Sequence, residues 1–170
     1  MPKVRSAAGP GGARPVRVAS RFLVEGVWHA VSRRDVRARR LADRHYSRQT
    51  PGAKDFMASG RTLVMLTDDE LAVWGAIENL DPAGNRRWRC SIFRNEGPER
   101  SSELVREATA RTFDYWLRHY GAIPSVPLQT EVDPRRVRHK RDPGRCFLRA
   151  GWVRVGQARG LVVLEAVTPR

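Results

Sequence analysis

Residues 101–120, SSELVREATARTFDYWLRHY, are the one stretch of this chain long and periodic enough for a long helix, and strand-like runs flank it on both sides. Leu104, Ala108, Thr112, Tyr115 and His119 fall at helical spacing as one stripe, with Val105 and Trp116 alongside. Ser101 or Ser102 opens this helix and Gly121 ends it. Two strands joined by such a helix cannot form a hairpin, so they lie parallel. That crossover commits the chain to a mixed sheet with helices packed against it, an α+β class.

The rest of the chain fills in around this unit. A short strand is expected near 27–31, then a helix capped by Ser32 and running to about Tyr46, with Asp35 placed close to a capping box. Ala38, Leu41, Ala42 and His45 share one face of that helix, and its remainder is nearly all arginine. A Pro/Gly-marked loop over 49–60 leads into strand-like runs at 62–67, 71–80 and 88–93. Their turns are signalled by Asp68-Asp69 and by Asp81-Pro82-Ala83-Gly84-Asn85, which makes an antiparallel meander. After the long helix come a strand at 127–132, a short helix at 144–150, and strands at 152–156 and 161–166 joined through Arg159-Gly160. The expected order is β α βββ α β α β β, in a single domain over 21–170 preceded by a flexible basic arm over 1–20 rich in Gly, Pro, Ala and Arg.

Charge narrows the class of partner. The formal net charge is +14, with 32 basic against 18 acidic residues. Only Lys3, Lys54 and Lys140 are lysine, which leaves 29 arginines (32 less 3). GC-rich coding explains arginine in place of lysine, but not the excess of base over acid. A polyanion is therefore expected as partner, with nucleic acid first and an anionic membrane surface second. No run approaches the roughly 18 apolar residues of a membrane span, and the N-terminus has no apolar signal core. Cys90 and Cys146 form neither a disulfide framework nor a metal-ligand spacing. Cytoplasmic localisation follows as the expectation.

Two junctions carry a resemblance. Arg94-Asn95-Glu96-Gly97-Pro98-Glu99 stands between the fourth strand and the long helix, where a tight turn aims backbone N–H groups and a helix N-terminus at an anion. Cys146-Phe147-Leu148-Arg149-Ala150-Gly151-Trp152, with Val155-Gly156 following, joins the short helix to the next strand. Both resemble the GNAT superfamily of N-acyltransferases. That family has a Gln/Arg-x-x-Gly-x-Gly/Ala turn at the first junction and a tyrosine, three residues and Gly-Phe/Trp at the second. Arg94 and Gly97 match the first pattern, while Glu99 departs from its final small residue. Phe147 stands in place of the tyrosine that in many members protonates the departing CoA thiolate, which phenylalanine cannot do. Within the superfamily the chain is most similar to the Mom family of bacteriophage DNA-modification proteins, through His45-Tyr46, Asp133-Pro134 and Ala150-Gly151-Trp152 with Gly156.

The resemblance implies a central, mostly antiparallel sheet whose parallel fourth and fifth strands splay apart to take the pantetheine of acetyl-CoA or another acyl-CoA. It implies Arg94, Asn95, Gly97, Arg100, Ser101, Ser102 and Phe147 as the cofactor side. An activated thioester asks little of the protein beyond holding an amine, accepting its proton and stabilising an oxyanion. His45 is the residue best able to exchange protons near neutrality, and also fits as a packed face residue of its helix. Tyr46 suits stacking or donation to an oxyanion, or simple core packing. Glu78 is a carboxylate in an apolar strand and needs a partner or a role. Asp133 ends the fifth strand, either as an Asp-Pro turn or at the cleft mouth, with Glu131 in reserve.

Arg33, Arg37, Arg40, Arg44 and Arg48 around the first helix, and Arg135, Arg136, Arg138, Lys140 and Arg141 in the later loop, are the expected phosphate contacts. Phe56, Tyr46 and Trp74 are the candidate stacking partners for a displaced base. The function so implied is acyl-CoA-dependent modification of a nucleobase amine, adenine foremost, in DNA within a bacterial host, protecting that DNA from restriction. The competing readings are acylation of a small-molecule or protein amine, and a non-catalytic basic DNA-binding protein.

Overall fold

A computed structural model describes residues 26–137 and 142–168 of the chain. The expected basic arm lies outside the described residues, as do Arg138, Lys140 and Arg141. Among the described residues seven strands form one open mixed sheet and three helices pack on it, an α+β fold. The elements are β1 (Trp28–Val31), α1 (Val36–Asp43), β2 (Arg61–Thr67), β3 (Ala72–Leu80), β4 (Arg86–Asn95), α2 (Ser101–Tyr120), β5 (Leu128–Val132), α3 (Arg145–Arg149), β6 (Val153–Ala158) and β7 (Leu161–Glu165). Their order across the sheet is β1-β2-β3-β4-β5-β7-β6. Every neighbouring pair is antiparallel except β4 with β5, the pair bridged by the long-helix crossover. No described helix is long and apolar enough to cross a membrane.

One face of the sheet is an aromatic core beneath α2. Trp28, Trp74, Trp88, Phe113 and Trp116 are buried there with Leu104, Val105 and Ala108. The buried face of α2 turns toward Phe113 and Trp116, leaving Tyr115 half-buried and His119 exposed, so the expected stripe is corrected in its last turns. Trp116 is held inward because its Nε1 donates to Glu78 Oε2 at 2.9 Å. The other face carries α1, where Ala38, Leu41 and Ala42 pack on Val64, Leu66, Val73, Ile77 and Ile92 together with Phe56 and Met57.

Three local corrections matter for the site. Asp35, not Ser32, caps α1: its carboxylate accepts from the backbone N–H of Arg37 and Ala38, while Ser32 Oγ accepts from the N–H of Arg34 in the preceding turn. Helix α1 stops at Asp43, with Arg44 as its C-cap, so His45 and Tyr46 leave the helix and are free of its face geometry. Strand β4 extends through Asn95, which places Arg94 and Asn95 in the strand instead of the turn. Gly121, by contrast, ends α2 as expected, with the left-handed φ of 81° that a side chain resists.

Candidate functional site

Strands β4 and β5 stay in register only at Trp88 opposite Leu128 and Arg89 opposite Gln129. One step further, Thr130 Oγ1 donates to the Cys90 carbonyl at 3.1 Å, a side chain standing where a ladder bond would be. At the same level β4 carries a bulge: Ala76 faces Cys90 and Gly75 faces Ile92, so Ser91 has no opposite residue on β3. Ser91 Oγ turns back to the Gly75 carbonyl at 3.4 Å. Beyond this point the strands part, and a cleft of about 1450 Å³ opens between them.

The segment after α1 forms one wall of the cleft. Arg94 Nη1 donates to the Arg44 carbonyl at 2.6 Å, and Glu96 accepts from Arg44 Nη2 at 2.6 Å and Arg94 Nε at 2.5 Å. The Arg44 guanidinium, with Arg94 beside it, holds the Glu96 carboxyl down at a pKa of about 2. On the far side, the Asp133 N–H donates to Tyr46 Oη at 3.4 Å, tying this wall to the end of β5. His45 lies against Tyr46 with ring centroids 4.4 Å apart, and its Nδ1 is 2.7 Å from Ser47 Oγ and 3.3 Å from the Ser47 amide nitrogen. Burial pushes the Tyr46 hydroxyl above its ordinary pKa, whereas the Arg135 guanidinium and backbone N–H hold the Asp133 carboxyl below the usual range. His45, Tyr46 and Asp133 thus meet at one cleft mouth.

The residues expected on the cofactor side converge on the same cleft: Arg94, Asn95, Arg100, Ser101, Ser102 and Phe147 all line it. The α2 N-cap is Arg100, which makes no side-chain capping bond. Gly97 is set back from the lining; a Cβ there would meet Leu71 Cβ at 3.1 Å and Asp69 Oδ2 at 3.2 Å, so glycine serves a close approach in the turn. Its N–H donates to Asn95 Oδ1 at 2.9 Å. Phe147 closes the apolar side, 5.0 Å centroid to centroid from Trp152. Cys146 lines the cleft as well, and Cys90 beside it is buried with its thiol pKa pushed well up by burial.

Other expected residues are placed elsewhere. Glu78 is not on the cleft: it is buried on the α2 face, bonded to Trp116 and Arg86 with Arg61 at 3.6 Å, which supplies the partners a buried carboxylate needs. Phe56 and Trp74 are buried in the two cores and present no face to a base. The first arginine cluster is largely neutralised. Arg33 shares Asp55 with Arg34, Arg37 pairs with Asp35 and Glu70, Arg44 with Glu96, and Arg48 with Asp43. Arg40 is exposed and enters no such pair among the described residues. Arg135 is bonded to Asp133, while Arg44, Arg48 and Arg136 line the cleft.

Sequence reasoning missed Arg89, Arg145 and Arg149, which also line it. Arg145 and Arg149 could have been noticed as the ends of the short helix. Arg89 is one of three arginines in Arg86-Arg87-Trp88-Arg89, and its sequence carries no signal of its place. Comparison with family models, curated proteins and solved structures returns no match for this chain.

Proposed function

We propose that the protein is a GNAT-type, acyl-CoA-dependent N-acyltransferase, acting on a nucleobase amine of DNA with adenine the foremost target. The observation that carries this reading is the opening of the single parallel strand pair, β4 and β5, into a cleft beside the N-terminus of α2. The sheet order and the bulge at Ser91 support it. A pantetheine arm fits between the parted strands along Ser91, Phe93, Thr130 and Val132, against Phe147. The diphosphate of coenzyme A falls to the uncapped end of α2 with Ser101, Ser102, Arg100 and Arg149, where N–H groups and guanidinium charge favour an anion.

In the transfer the acceptor nitrogen attacks the thioester carbonyl carbon. The C–N bond forms, the C–S bond breaks, the amine proton leaves to a base, and coenzyme A departs as thiolate. His45 is the base of this proposal, placed at the mouth against Tyr46 with the Ser47 N–H donating to its Nδ1. Tyr46 takes the part of acid that Phe147 cannot. Burial keeps its phenol protonated, and its oxygen receives the Asp133 N–H, which leaves the phenolic proton to be donated to the thiolate. Asp133 fixes the mouth by binding Arg135 and positioning Tyr46 through its own N–H. DNA as acceptor rests on the net charge, on Arg136 in the cleft and on exposed Arg40.

Mass spectrometry of nucleosides from DNA co-expressed with the protein tests the reading, with an added mass on adenine expected in wild type and absent in Tyr46→Phe with His45→Ala. Unmodified DNA alongside measurable coenzyme A binding would move the acceptor to a small-molecule or protein amine. That second reading is favoured by one observation, the carboxylate partners that occupy Arg33, Arg37, Arg44 and Arg48.

A further inference from the structure

The inner end of the cleft holds a guanidinium whose buried Nε is left without a hydrogen bond among the described residues. Arg89 lines the cleft, its Nε is buried, and among the described residues that nitrogen has no hydrogen-bond partner. The nearby carboxylates are already engaged. Glu131 Oε1 accepts from Arg87 Nη2 at 2.5 Å, and Glu165 Oε1 accepts from the Nε2 of Gln129, the residue opposite Arg89, at 2.8 Å. Burial, and then the like charge of Arg87, bring the Arg89 pKa down against the attraction of Glu131, yet a guanidinium keeps its proton in proteins. A half-buried charge with an unpaired donor is unfavourable unless something is bound there for part of the working cycle.

The strands say what reaches it. A chain entering between β4 and β5 from their open ends is stopped where Thr130 Oγ1 bonds the Cys90 carbonyl, one residue above the Arg89–Gln129 pair. The face that Arg89 shares with Glu131 lines the cleft at that point and offers it a turn off the sheet. We infer that Arg89 receives the far end of the acyl group, and that the donor is a short acyl-CoA ending in a carboxylate, of the malonyl or succinyl class. This rests on the acyltransferase reading above and deepens it. The distal carboxylate takes no part in the bonds made and broken. Its two oxygens match the planar fork of a guanidinium, so Arg89 is a specificity-determining residue that positions the acyl chain.

Calorimetry on the full chain with free coenzyme A, acetyl-CoA, malonyl-CoA and succinyl-CoA tests this. One of the carboxylated donors is expected to bind about tenfold or more tighter than acetyl-CoA, as a charge-assisted bond to a half-buried partner provides. Arg89→Met and Arg89→Gln should bring that ratio to about one, and Arg89→Lys should keep part of it. Equal affinity of wild type for acetyl and carboxylated donors overturns the inference and leaves the acyltransferase reading standing. No binding of coenzyme A or of any acyl-CoA overturns both. A preference that persists in Arg89→Met and Arg89→Gln also overturns it, by giving the contact to another cation.

Discussion

The two halves of the sheet are built to different standards. From β1 to β4 the strands pair antiparallel over most of their length, and helices cover both faces, α2 over the tryptophans and α1 over the aliphatic residues. From β5 to β6 only one face is covered among the described residues, by Phe147, Trp152 and Val137, and all six residues of β6 are exposed. Two register pairs, the Thr130 side chain and the Arg87–Glu131 ion pair join β4 to β5, and the Asp133 N–H ties the end of β5 to Tyr46. The difference teaches that the cleft is a consequence of topology: the sheet opens at its one parallel joint, where a crossover, not a hairpin, supplies the neighbouring strand. A closed half holds the wall residues in place, and an open half leaves the cleft its room.

The largest effect should come from the closed half. Trp74 is fully buried and its Nε1 donates to Thr112 Oγ1 at 3.0 Å. Trp74→Ala is expected to lose about 3–5 kcal/mol in urea unfolding, and a loss below about 1 kcal/mol would erase the contrast between the halves.

A smaller effect belongs to the tie between the closed half and the cleft wall. Glu96 has a folded pKa of about 2, below the ordinary glutamate value near 4.3. Because the folded pKa is depressed, this stabilisation is complete above pH of roughly 4.3 and is lost as pH falls toward about 2. Glu96→Gln should flatten that part of the acid limb in a series of urea midpoints, and an unchanged slope would mean that the wall is not held by this carboxylate. The smallest effect is expected on β6, where Val153→Thr at an exposed edge should change stability by no more than about 0.5 kcal/mol. A clearly larger loss there would show that the open half is packed in solution against something.

Most of the closed half could be read from the sequence, since turn chemistry and alternation mark β2, β3 and β4 to within one or two residues. Gly121 announced the end of α2 for the same local reason. What could not be read depends on pairings distant in sequence. The bulge at Ser91 arises from a mismatch with Gly75 and Ala76, and no property of Ser91 itself signals it. Glu78 suggested a reactive carboxylate because its partners, Trp116 and Arg86, come from other elements. The arginines around α1 looked available for phosphate because Asp55, Glu70 and Glu96 are brought to them only by folding. Arg89 was overlooked for the converse reason: that its Nε lacks a hydrogen bond among the described residues is visible only in the folded chain. His45, Tyr46 and Asp133 were legible as single residues, and the structure adds that they share one mouth.

Strand β6 leaves a row of backbone donors and acceptors at an outer margin of the sheet, with Val153 and Val155 exposed along it. Such a margin invites a second copy to add its own strand, the first step of uncontrolled aggregation. Two features oppose this. The ladder with β7 slips at Val155, which twists the margin away from a flat template, and Arg154 and Arg159 put like charges on any two copies that approach. The arginine excess that first suggested a polyanionic partner therefore also keeps the molecules apart, and that protection weakens as salt screens the charge.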